Sequence, residues 1–138
     1  LGAILRTGLA AGVEQVLLAP GAVDSSNPKV VRAAMGAHLR LPVAALKWEA
    51  IAEAVAGCDV WIAAAGGETV YTAVDWTRPV ALIVGSEATG AGEQAQALAQ
   101  GRVSIPMAAG VESLNTAMAT AVILFEAVRQ RGDKNPKV

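Results

Sequence analysis

Residues 79–90 read PVALIVGSEATG. Val80 to Val84 form an apolar run without alternation, which is the pattern of a strand covered on both faces rather than one with a wet side. The run stops at Gly85, and two residues later stands Glu87, with no basic residue within eight positions on either side. In parallel α/β sheets ligands bind at the C-terminal ends of strands, because the loops there present backbone N–H groups and side chains. Taken alone, Glu87 reads as an exposed loop carboxylate or as a charge near a helix N-terminus. What surrounds the strand decides between that and a working group.

Outward from this strand, helical and extended signals alternate with short connections, the pattern of an α/β domain with a mostly parallel sheet and helices on both faces. Ile4, Leu5 and Leu9 recur at helical spacing before Gly12, and Val16–Leu18 then read as a strand. Pro28 after Asn27 opens a helix with Val31, Met35 and Leu39 on one face. Val43 to Leu46 is the second strand, Trp48 to Val55 a short helix ending at Gly57, and Val60 to Ala63 the third strand. The strand at 80–84 is the fourth, Gln94 to Leu98 the next helix, Val103 to Ile105 the fifth strand, and Leu114 to Arg131 a long closing helix. Met118, Val122, Phe125 and Val128 make an apolar stripe on that helix, suited equally to a core or to a second copy of the chain. Residues 1–131 are expected to be one domain and 132–138 a polar tail. Since α/β units begin strand-turn-helix, whereas this chain opens on a helix, at least one strand is expected upstream of Leu1.

A chain of 138 residues is long enough for one domain with a real core, and 54% apolar residues exclude disorder. The single Cys58 cannot form an internal disulfide, and Cys58 with the lone His38 gives no metal-ligand spacing. A reduced, cytoplasmic, metal-free protein is expected. The apolar stretch from Ala117 to Phe125 is about half of the ~20 residues that cross a bilayer, and no basic leader with a cleavage site opens the chain. Net charge is −1, but it is segregated: residues 1–47 carry five basic and two acidic side chains, residues 48–126 two and nine, residues 127–138 four and one. Arg6, Lys29, Arg32 and Arg40 therefore read either as solvated helix faces or as a local positive field for a polyanion.

Three glycine-rich loops follow the later strands: residues 65–68 (AGGE), 85–90 (GSEATG) and 106–115 (PMAAGVESLN). Glycine lets a ligand press against backbone, which suits a nucleoside. The G-x-G-x-x-G, Gly-Lys-Ser/Thr and G-x-S-x-G patterns are all absent, which disfavours dinucleotides, triphosphates and a serine nucleophile. His38 lies among Ala37, Leu39 and Arg40 in a helical stretch, where it reads as a surface or packing residue rather than a base.

Three segments together resemble the SpoU/TrmH-type RNA ribose 2′-O-methyltransferases of the SPOUT superfamily. LGAILRTGLAAGV at 1–13 is similar to motif 1, usually N-[LIV]-G-A-[IL]-x-R. LIVGSEATG at 82–90 is similar to motif 2, L-x-x-G-x-E-x-x-G. VSIPMAAGVESLNTAMATAVILFEAVRQR at 103–131 is similar to motif 3, where I-P-M and S-L-N precede the last helix. NPKVVRAAMGAHLRLPV at 27–43 resembles the family's intervening helix and strand. The match keeps order and spacing over nearly the whole chain. It departs from the pattern at the start, since the Asn of motif 1 and the strand before it would precede Leu1.

The resemblance implies a C-terminal segment tucked through a loop into a deep trefoil knot, which composition does not suggest. It also implies S-adenosyl-L-methionine as cofactor, a homodimer, and an RNA substrate, rRNA more than tRNA. Carried over by motif, the cofactor contacts fall on Gly66, Gly85, Ile105, Met107 and Leu114. The polar catalytic set falls on Arg6, Glu87, Ser113 and Asn115. Glu87 would then have partners from motifs 1 and 3 in space rather than in sequence. A guanidinium stays protonated, with a pKa above ~12, so Arg6 is expected to grip an RNA phosphate and polarise the 2′-hydroxyl while the proton leaves to phosphate or water. Two other readings compete: a non-catalytic dimeric RNA-binding or ribosome-assembly module with the same fold, and a generic nucleotide-binding α/β domain.

Overall fold

A computed structural model describes residues 1–86 and 90–132. The chain forms two compact units, Leu1–Ala54 and Val55–Val138. Among the described residues all four ladders between strands are parallel, as the alternation of helical and extended signals implied, and a single antiparallel bridge joins Ser86 and Gly90.

The first unit runs α1 (Gly2–Ala10), β1 (Val16–Leu18), α2 (Pro28–Ala34), a 3₁₀ turn (Ala37–Leu39), β2 (Val43–Ala45) and α3 (Trp48–Ala54). β1 and β2 pair with Val16 opposite Val43 and Leu18 opposite Ala45. α2 starts as the sequence suggests: Pro28 needs no N–H partner in the first turn, and the Asn27 side chain accepts from the Lys29 amide at 2.9 Å. It ends earlier than expected. Met35 takes the left-handed region (φ 49) and Gly36 follows with φ 82, so the helical register breaks after Ala34. Two members of the expected apolar face, Met35 and Leu39, consequently stand out 72% and 82% exposed. The core is built from Leu5, Val30, Ala34, Ala37 and Leu41 instead. α1 and α2 touch backbone to backbone: a Cβ on Gly2 would lie 2.5 Å from the Val30 carbonyl oxygen. His38 sits in the 3₁₀ turn rather than mid-helix.

The second unit runs β3 (Asp59–Ala63), β4 (Thr69–Val70), a 3₁₀ turn (Tyr71–Ala73), β5 (Val80–Val84), α4 (Glu93–Leu98), β6 (Gly101–Ser104) and α5 (Thr116–Arg131). The ladder order is β4-β6-β3-β5. β5 is thus an outer strand of this ladder, half-buried along its whole length rather than covered on both faces as its unbroken apolar run suggested. The central strand β3 does alternate, with Val60 and Ile62 buried. β6 lies between β3 and β4, two residues earlier than the expected strand at its start, because Gly101 faces Trp61 in register and leaves room for the indole. Val74, Trp76, Val103 and Ile123 form the core.

α5 begins at Thr116, not Leu114, because the Asn115 carboxamide oxygen accepts from the amides of Ala117 and Met118 and caps the helix there. Its buried side is Thr120, Ile123 and Glu126. Of the expected stripe, Met118, Phe125 and Val128 are exposed and Val122 is half-buried, so most of it is no part of this chain's core. The tail at 133–138 lies outside the described residues.

Candidate functional site

A cavity of about 710 Å³ opens in the second unit where β3, β5 and β6 end, and the start of α5 closes one side. Gly66, Gly85, Ile105, Met107 and Leu114, the five expected cofactor contacts, all line it. So do Ser113 and Asn115 of the expected polar set. Arg6 stands on α1 in the other unit, exposed and without an ion pair among the described residues. Glu87 lies outside the described residues.

Local chemistry fixes each wall. After β3 the chain turns at Gly66, whose φ of 70 suits glycine, and Gly67 then presses on β6: a Cβ there would lie 2.8 Å from the Val103 carbonyl carbon. The Ser104 hydroxyl donates to the Gly67 carbonyl at 2.8 Å, tying that turn to the strand. After β5, the described residues on either side of 87–89 come together. Gly90 N–H donates to the Ser86 carbonyl at 2.9 Å, and a Cβ on Gly85 would meet the Gly90 carbonyl carbon at 2.4 Å. After β6, Ile105 and Met107 supply apolar wall, and the chain turns at Gly110 (φ 84) before the Asn115 cap.

The cavity mixes small and apolar residues with polar ones, and more of its exposed lining is polar than apolar, which suits a ligand that carries both apolar and charged parts. Sequence reasoning missed Gln96, Arg102, Glu112 and Thr116 on its lining. Arg102 comes from an exposed strand position and Gln96 from a helix outside any motif, so only the tertiary fold brings them in. The Arg102 guanidinium pairs with Glu68, Nε to Oε2 at 3.3 Å, and its charge is partly offset. A hydrogen bond from its own backbone amide, then the Arg102 charge, holds Glu68 below the usual carboxylate range. With Glu112 also on the lining, the wall does not repel a cationic ligand. The N-terminus of α5, with the Thr116 end on the cavity, suits a carboxylate. A sulfonium nucleoside with an amino-acid tail meets both requirements, and the volume falls within the range of roughly 300–1,000 Å³ typical of such pockets. Among the described residues no group of three or more His, Cys, Asp or Glu side chains is placed to hold a metal ion.

Comparison with known proteins gives a consistent picture. The SpoU rRNA Methylase family model matches residues 1–125. The chain is 36% identical to rRNA methyltransferase 3A, mitochondrial, of Danio rerio, covering 94% of this chain and 41% of that protein. It is 37% identical to the 23S rRNA (guanosine-2′-O-)-methyltransferase RlmB of Pectobacterium atrosepticum, covering 96% and 55%. Among solved structures, the SpoU methyltransferase AviRb from Streptomyces viridochromogenes in complex with AdoMet superposes with a TM-score of 0.84 at 32% identity, covering 94% of this chain and 55% of that one. An AdoMet-bound rRNA methyltransferase from Sinorhizobium meliloti gives 0.85 at 34%, covering 94% and 51%. The chain spans about half the length of the curated relatives it matches.

Proposed function

The chain belongs to the SpoU rRNA methylase family, and from that premise we propose that it forms the catalytic domain of a methyltransferase. On this reading it moves a methyl group from S-adenosyl-L-methionine to the ribose 2′-hydroxyl of a nucleotide in rRNA. The observation that carries this reading is the gathering of Gly66, Gly85, Ile105, Met107, Leu114, Ser113 and Asn115 on one cavity at parallel strand ends.

The cofactor would supply an electrophilic methyl on a sulfonium. The protein's contribution is mainly placement, which can be worth several powers of ten in rate when reacting atoms are held near contact distance. Gly66 and Gly85 offer backbone without side-chain bulk, while Ile105, Met107 and Leu114 exclude water from one wall. Ser113 and Asn115 add polar groups beside the α5 N-terminus, with the Asn115 oxygen already committed to capping the helix. Arg6 and Glu87 belong to the proposed polar set by motif. For Arg6 the proposed role is a bidentate grip on an RNA phosphate, since its guanidinium has no free lone pair with which to take a proton. The 2′-hydroxyl proton then leaves to phosphate or water.

The same reading includes a trefoil knot in the C-terminal part, supported by family membership and by the convergence of Gly85, Ser86 and Gly90 with Ile105, Met107 and the residues at 112–116 on one cavity. It includes a homodimer, supported by the exposed α5 stripe at Met118, Phe125 and Val128. It includes a cytoplasmic location, where a bacterial chain acting on 23S rRNA, the substrate named for the relative from Pectobacterium atrosepticum, would meet that RNA.

Titration calorimetry with S-adenosyl-L-methionine and transfer of its labelled methyl group to rRNA and tRNA test the proposal. Binding is expected, with label appearing in rRNA as alkali-resistant dinucleotides, because a 2′-O-methyl blocks cleavage of the adjoining phosphodiester. Absence of cofactor binding defeats the reading. Binding without transfer to any RNA favours the non-catalytic RNA-binding module.

A further inference from the structure

A second cavity, of about 480 Å³, lies in the first unit where β1 and β2 end, and none of the family motifs passes through its lining as a binding segment. We infer that it is a subsite for one unpaired ribonucleotide of the RNA substrate, with the base in the cavity and its phosphate on Lys47.

Three observations support this occupant. The first is position: parallel strands deliver their C-terminal ends to ligands, and β1 and β2 both end at this cavity with the loop at 19–25 over it. The second is shape and surface. Leu18, Pro20, Val23 and Leu46 make an apolar wall, and Val23 is 55% exposed with nothing covering it. A flat base, apolar on its faces and polar at its edge, covers such a wall without stranding a polar group. Gly21 (φ 88) has open space where a Cβ would point.

The third observation is the polar complement. Asp24 Oδ1 accepts from the amide and the hydroxyl of Ser26, both at 2.8 Å, which fixes the loop and leaves Oδ2 as an acceptor for a base N–H. Those two hydrogen bonds also hold the Asp24 carboxyl below the usual range, so it stays an acceptor at neutral pH. Lys47 is exposed and has no ion pair among the described residues. The backbone amides of Gly21, Val23 and Ser25 make no hydrogen bond to another described group. An exposed ammonium beside amides without a partner among the described groups suits a phosphate, as it also would a peptide carboxylate; the apolar wall with an acceptor at its edge favours the nucleotide.

The inference rests on the RNA substrate proposed above, and its test reads the two separately. The ¹⁵N-labelled chain is titrated by NMR first with S-adenosyl-L-methionine, then with uridine 5′-monophosphate, hexauridylate and hexaglutamate. Expected are nucleotide-induced shifts at the amides of residues 19–25 and 45–47, with hexauridylate binding more tightly than the monophosphate. Lys47→Ala weakens nucleotide binding by about fivefold to tenfold, as loss of one charge-assisted phosphate contact does, and Val23→Asp weakens it independently by spoiling the apolar wall. Both variants keep the wild-type response to S-adenosyl-L-methionine at residues 62–66 and 105–115. Nucleotide shifts elsewhere or none, an unchanged Lys47→Ala variant, or equal shifts from hexaglutamate overturn the subsite. A monophosphate that binds as tightly as hexauridylate overturns RNA as the source. Failure of the methyltransferase reading appears as absence of the cofactor response in the first titration, whatever the nucleotides do.

Discussion

Arg6 and Lys47 are both exposed cations on the first unit, yet different chemistry is asked of them. A guanidinium presents a planar fork that fits two phosphate oxygens at once, whereas an ammonium is a point charge. Arg6→Lys is therefore expected to leave S-adenosyl-L-methionine affinity within about twofold of wild type and to lower methyl transfer by roughly a hundredfold, because geometry rather than charge is lost. Calorimetry and initial rates on the same preparations check this, and undiminished turnover removes Arg6 from the polar set. At Gly85 the constraint is steric. A methyl group there would overlap the Gly90 backbone, so Gly85→Ala is expected to push Gly85 and Gly90 apart and weaken cofactor binding by at least about tenfold. Met35 holds a left-handed conformation that costs an L-residue about 1 kcal/mol, and its side chain is exposed. Met35→Gly should raise stability by about 0.5 kcal/mol in urea unfolding, the gain being trimmed by the extra freedom of glycine in the unfolded chain.

Among the elements, α5 is anchored at its C-terminal end by side chains that reach the segment at 74–78. Gln130 donates to the Val74 carbonyl and to Glu126 and accepts from the Trp76 amide, while Arg131 donates to the carbonyls of Trp76 and Arg78. Gln130→Ala leaves the partly buried Trp76 amide and Val74 carbonyl unpaired, at a cost of about 1–3 kcal/mol by denaturant unfolding. This clamp was not legible in the sequence, where Gln130 looks like any polar residue near a helix end. What was legible had a local cause. Asn27-Pro28 marks a helix start, Gly66 and Gly110 mark turns, and the motifs around 82–90 and 103–115 named the strand ends that share the larger cavity. What was not legible depended on tertiary partners. The two residues of β4 carry no periodicity, and only pairing with β6 makes them a strand. The run at 80–84 does not reveal that its strand is an outer one, since neighbours are chosen by the whole ladder. The face through Met35 and Leu39 failed because one left-handed residue reset the register after Ala34.

For the whole molecule, acid stability should depend on Glu126. Hydrogen bonds from Arg129 (Nε at 2.7 Å, Nη2 at 2.8 Å) and then from Gln130 hold its pKa down to about 2, against 4.5 as the ordinary value. The ionised form is favoured in the folded state, so the contribution is full above about 4.5 and is lost as the pH falls from there through about 2. Circular-dichroism melting between pH 6 and 2 should show a falling Tm below about 4.5, with a shallower fall in Glu126→Gln; parallel curves would assign the acid sensitivity elsewhere. The ladder order β4-β6-β3-β5 carries one further consequence, for biosynthesis. The latest-made strand occupies an inner position, so Thr69–Val70 emerges from the ribosome with nothing to pair with and one side of β3 stays bare until Gly101–Ser104 follow. A nascent chain stalled before Gly101 therefore displays an open strand edge to chaperones and quality-control proteases, and release of the complete polypeptide withdraws it.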